Sequence, residues 1–229
     1  MDSGDEDNYW TGLSLTGSTE NEASTSSALT VQVIDRVEPL DSQFGLVKRL
    51  TVPTALHKPL FGQLIKDCAT IPLYTYAILD AAKVPCLPEI LDASGLDYAS
   101  LFQGEAAEEL RYVAPYLVRL EEEHDFTRNL FTMGEAGWQM WDKEPAIFIR
   151  AQVRLHELRK HLRKFTQIRT EAGSVEYFRF WESTVLDYIS FFGGADLGWE
   201  IFPRTQVLWR THYYSSGPRF ALMRVGNFQ

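Results

Sequence analysis

The sequence predicts an α/β domain, a mixed central sheet flanked by helices, preceded by a disordered acidic leader. Three observations lead there. Apolar runs of strand length alternate with stretches of helical spacing through most of the chain. The acidic excess is concentrated at the start. The last two strand-like runs, 206–210 and 219–225, follow one another across a short loop, which makes the sheet mixed rather than all parallel.

The formal net charge is −9 over 229 residues. Residues 1–45 hold nine acids and one base, Arg36, so residues 46–229 carry 22 acids and 21 bases. A near-neutral body argues against nucleic-acid binding, which needs a basic footprint. The first ten residues lack an apolar signal-peptide core, and no apolar run reaches the roughly 18–20 residues of a membrane span. A cytoplasmic protein without membrane insertion is expected. Cys68 and Cys86 have no metal or redox spacing and are expected to be buried thiols.

Residues 1–28 are rich in Ser, Thr, Gly, Asp and Glu and have too little to bury, which predicts disorder; residues 29–229 form the domain. Residues 29–37 alternate as a first or edge strand. Pro59 is placed to open a helix whose stripe is Leu60, Phe61, Leu64, Ile65 and Cys68. Residues 72–80 read as a buried strand, and Pro88 opens a short helix capped by Gly95. Residues 100–102 form a short strand ending at Gly104. A helix with Glu105, Glu108 and Glu109 in its first turn follows, with Ala106, Leu110 and Val113 at helical spacing until Pro115. Residues 116–118 resume as strand.

Residues 124–141 read as a loose helical region, and 146–149 as a compact strand. Residues 153–168 read as the best helix, with Leu155, Leu158, Leu162, Phe165 and Ile168 on one stripe. Residues 175–181 read as a strand, and Ser183 is placed to cap a helix that stops at Gly193-Gly194.

Few residues suggest chemistry. His156 and His161 lie at i and i+5, roughly 140° apart on a helix, so they cannot share one tetrahedral zinc. No metal, no cofactor and no catalytic residue are assigned. A nucleophile elbow, a phosphate loop and a dinucleotide fingerprint are all missing. The basic run is clearer: Arg150, Arg154, Arg159, Lys160, Arg163, Lys164 and Arg169 crowd one helix. It reads either as a solvated face or as a docking surface for an acidic partner, with the chain's own leader among the candidates. Arg179, by strand alternation, shares a face with Tyr177 and Trp181. That arrangement suits either carboxylate recognition or a structural salt bridge to an acid such as Glu182 or Asp187.

Five stretches, in order, resemble one family. They are Leu73-Tyr74-Thr75-Tyr76-Ala77-Ile78-Leu79-Asp80-Ala81-Ala82, Ser100-Leu101-Phe102-Gln103-Gly104, Val113-Ala114-Pro115-Tyr116-Leu117-Val118, His161-Leu162-Arg163-Lys164-Phe165 and Tyr177-Phe178-Arg179-Phe180. Across about 70–190 the chain is similar to the chaperones, or adaptors, of toxic effectors in bacterial type VI secretion, a family long described only as a domain of unknown function. One departure stands at Trp181-Glu182-Ser183, where that family has an aromatic residue followed by Asp-Pro. The resemblance implies a non-enzymatic cytoplasmic protein that binds a cognate secreted effector and helps load it onto the secretion spike protein. Arg159, Arg163, Lys164, Arg179 and Trp181 are the expected partner-binding residues. The rival readings are a hydrolase or nuclease with an unrecognised site, or a toxin-neutralising immunity protein.

Overall fold

The computed structural model describes residues 29–62, 72–212 and 217–226. The expectations for residues 1–28, for Leu64, Ile65 and Cys68, and for most of the 213–218 loop fall outside these. The elements run β1 (Leu29–Ile34), α1 (Thr54–Phe61), β2 (Tyr74–Asp80), α2 (Leu87–Ser94), β3 (Tyr98–Ser100), α3 (Glu105–Glu109), β4 (Pro115–Leu120), α4 (Asp125–Phe131) and β5 (Ala146–Ala151). They continue with α5 (Leu155–Leu162), β6 (Gln167–Arg169), β7 (Val175–Tyr177), α6 (Ser183–Phe191), α7 (Ala195–Ile201), β8 (Gln206–Thr211) and β9 (Arg219–Val225).

The α/β layering is as the sequence predicts. Seven strands form one sheet in the order β1-β9-β8-β5-β2-β4-β3, and β6 pairs with β7 as a separate hairpin. The sheet is not mixed, however: every pair in it is antiparallel. The reason lies in β2. Strands β4 and β5 share a direction and are joined through α4, but β2 lies between them and pairs with both. The helical connection therefore steps over a strand instead of making two parallel neighbours.

Alternation along β2 assigns the helices to the two faces. Tyr76, Ile78 and Asp80 look one way: the Tyr76 hydroxyl donates to the Val153 carbonyl just before α5 (2.6 Å). On the same side, Trp209 and Thr211 of β8 donate to Asp187 of α6 (2.9 and 2.7 Å). Thr75, Ala77 and Leu79 look the other way. The Thr75 hydroxyl donates to Leu60 of α1, and Phe148, opposite Ala77, stacks on Phe131 of α4 at 5.1 Å. Helices α5, α6 and α7 thus cover one face, and α1 and α4 the other.

Several boundaries differ from expectation. Pro59 is the sixth residue of α1, which starts at Thr54 directly after Pro53. Helix α3 has five residues and buries none, and Val113 is 46% exposed. Helix α5 stops at Leu162. The Thr166 hydroxyl donates to the Arg163 carbonyl (2.9 Å), the chain tightens into a 3-10 turn at Arg163–Phe165, and Ile168 falls in β6. Strand β7 ends at Tyr177. The N-cap of α6 is Glu182 rather than Ser183. Cys86 is exposed, not buried. Helix α7 was not anticipated, and its Gly198 is buried under Leu29, Ile189 and Met223.

Candidate functional site

Two places bring the sequence-predicted residues together. The first is the end of β2. Asp80, its last residue, is buried, and its Oδ1 accepts the Ala82 N–H (3.0 Å) as the chain turns away. Its Oδ2 meets the Arg179 Nη2, while the Arg179 Nε pairs with Glu182. The Arg179 guanidinium also stands 5.9 Å from the centre of the Trp181 ring. Because β7 ends at Tyr177, Arg179 lies in a turn, and the strand alternation expected there does not apply. The sequence-level alternative of a salt bridge to Glu182 is present. Asp187 instead serves Trp209, Thr211 and the His212 N–H. Trp181 is 5% exposed and edge-on to Phe180, so its ring is part of the core.

A shallow indentation lies beside this pair, lined by Asp80, Lys83, Glu144, Trp181, Ser183 and Arg210. Glu144 organises its far side, pairing with Arg210 (3.0 Å) and His212 (2.7 Å) while its carbonyl accepts from Lys83 (3.1 Å). Arg210 is thus committed to a carboxylate, and Lys83 to a carbonyl, of the same wall. The arrangement ties loops to the end of the sheet.

The second place is the basic surface that begins on α5. Arg159 is not displayed there. Its Nε donates to the Ser100 carbonyl (2.6 Å) and its Nη2 to the Phe102 carbonyl (3.4 Å). Burial, with Arg163 adding repulsion, holds its pKa below the ordinary arginine value. Asp97 and Leu101 direct their backbone groups to β4, so Ser100 and Phe102 turn their carbonyls outward, and Arg159 covers that open edge of the sheet. His161 makes a similar tie, with Nε2 donating to the Glu200 and Ile201 carbonyls at the end of α7 (3.1 and 3.0 Å). His156 instead lines a recess with Tyr74, Tyr76 and Arg119. The two rings look into different surroundings. Among the described residues, no three His, Cys, Asp or Glu side chains are grouped as a metal site would need.

What remains displayed is narrower than the sequence suggested. Arg163 is half-buried, Lys164 and Arg169 are exposed, and none of the three side chains has a hydrogen bond or ion pair among the described residues. The β6–β7 hairpin continues this strip and adds Val175 and Tyr177, 57% and 46% exposed, with the Tyr177 ring 4.9 Å from Phe102. Sequence reasoning missed Val175 and the hairpin itself. The signal was there in Gly173, which has φ +82° in the turn between two short strands.

No described helix is long and apolar enough to cross a membrane. No curated protein and no solved structure matches the chain. A family model does match, over residues 75–190, just over half of the chain. That span runs from β2 into α6 and holds Asp80, Arg179, α5 and the hairpin together. On that match, the chain belongs to the family described as a domain of unknown function (DUF4123).

Proposed function

We propose that this protein is a cytoplasmic, non-enzymatic chaperone or adaptor. In this reading it binds a cognate toxic effector and helps load it onto the type VI secretion spike. The observation that carries the reading is the strip formed by Arg163, Lys164 and Arg169 with Val175 and Tyr177 beside Phe102. Unpaired cations next to exposed aromatic and aliphatic side chains suit a protein surface with acidic and apolar groups. The strip lies within the family-matched span and follows a helix tied to the sheet edge by Arg159 and to the end of α7 by His161. Arg179 and Trp181 contribute from beneath, by holding the 178–182 turn in place.

The test is co-purification. The tagged full chain, co-expressed with a candidate effector toxin, is expected to carry that larger protein down in a fixed ratio, with spike protein added when present. A chain that brings down nothing stoichiometric would count against the reading.

A further inference from the structure

The segment 43–50 gathers exposed apolar side chains in one short loop. Phe44, Leu46, Val47 and Leu50 are 93%, 56%, 106% and 50% exposed. Four large apolar side chains so close in sequence form a patch that ordinarily marks an interaction surface. The base of the segment is held in place. Gln43 is buried, and its side-chain amide pairs with Leu50 as a strand would, Oε1 accepting the Leu50 N–H (2.5 Å) and Nε2 donating to the Leu50 carbonyl (2.8 Å). The Gln43 N–H is in turn held by Asp41 (2.8 Å), and Arg128 of α4 also donates to the Leu50 carbonyl (3.3 Å). At the tip, the Leu46 N–H reaches the Gln43 carbonyl (3.3 Å) across a turn in which Gly45 has φ +81°.

Beside the tip is an open recess lined among others by Val47, Lys48, Arg49, Leu50, His57 and Glu123. Glu122 is taken by His57. Lys48, Arg49 and Glu123 have no hydrogen bond or ion pair among the described residues. An apolar centre therefore has two unpaired cations and an unpaired carboxylate within the same patch.

We propose that this patch is a two-fold interface, in which a second copy of this chain buries the 44–50 loop. A surface carrying both signs around an apolar centre is complementary to itself under a two-fold rotation: Lys48 and Arg49 of each copy face Glu123 of the other. An anionic membrane would use only the cations and would meet Glu122, Glu123 and Asp125 alongside them. The loop precedes the family-matched span and is bonded to Arg128 of α4, on the other face of the sheet from α5. The pairing thus leaves the Arg163 and Lys164 strip open.

Sedimentation equilibrium on the full chain tests this. A monomer–dimer equilibrium is expected in the micromolar range, and the Phe44→Ser, Val47→Asp variant is expected to weaken it by about tenfold or more with an unchanged circular-dichroism spectrum. Lys48→Glu with Arg49→Glu in one chain, and Glu123→Lys in another, should each weaken self-association. Mixing those two chains should restore dimers, because every contact then joins opposite charges. A chain monomeric throughout overturns the proposal, as does a dimer indifferent to the loop or a mixture that fails to pair. Loop-dependent binding to phosphatidylserine vesicles by a monomer would also overturn it.

Discussion

Asp80 and Arg179 stand 99 positions apart and meet in an ion pair at the end of β2. The pair is lopsided: the Asp80 side chain is 2% exposed and that of Arg179 is 41% exposed. It joins the two most distinctive runs of the sequence, Leu79-Asp80-Ala81-Ala82 and Phe178-Arg179-Phe180. Desolvation falls mainly on the carboxylate, and its two oxygens are served by different groups, the Ala82 N–H and the guanidinium.

Removing the guanidinium should therefore cost more than an exposed ion pair would. Arg179→Ala is expected to destabilise the fold by about 1–3 kcal/mol, nearer the lower figure because water reaches the arginine side. In a double-mutant cycle with Asp80→Asn, urea denaturation should show a coupling of at least about 0.5 kcal/mol. Additive effects would mean that the two side chains are neighbours without interdependence.

Leu162, the last residue of α5, is fully buried where the helix meets the sheet. Leu162→Ala is expected to cost about 2–5 kcal/mol, the range for a buried leucine whose cavity fills only partly. A loss below about 0.5 kcal/mol, as at a neutral surface site, would mean that this stripe faces something other than core.

Gly198 gives a test from the opposite direction. Alanine usually favours a helix over glycine by nearly 1 kcal/mol. Here a Cβ would stand 2.8 Å from Cγ2 of Ile189 and 3.1 Å from Cδ1 of Leu29. Ile189 is buried and branched at Cβ, so it has little room to turn. Gly198→Ala is expected to lower stability by about 1–3 kcal/mol in a thermal melt. A gain would show that α7 can move away from β1 freely.

How much was legible follows from how local each signal is. Strand β2 was readable because seven residues of mostly apolar character leave few alternatives. The far end of α5 was not, since the Leu155–Ile168 spacing continues past the point where Thr166 bonds the Arg163 carbonyl and tightens the chain. Helix α7 was hidden by Gly198, a residue that argues against helix until its tertiary contacts are known. The same limit applied to the site. Arg159 looked like part of a solvated stripe, and only the register of β3 on β4 shows that it covers outward-facing carbonyls. Glu182 was foreseeable as an Arg179 partner three residues away; Asp80, contributed by a distant strand, was not.

That distinction shapes the functional test. Reversing Arg159 together with its neighbours would uncover the Ser100 and Phe102 carbonyls and cost about 1–3 kcal/mol in unmade bonds, so lost binding would be confounded with local unfolding. Arg163→Glu with Lys164→Glu avoids this, because neither side chain has a partner among the described residues. Stability is expected to stay within about 0.5 kcal/mol of the parent. If the strip captures an acidic effector surface, titration calorimetry should show affinity reduced by about tenfold at low salt. The loss should be smaller near 0.15 M, where charges farther apart than about 8 Å are screened. Equal affinities for parent and variant at both ionic strengths would mean that Arg163 and Lys164 only solvate the fold, and that the effector docks on another surface.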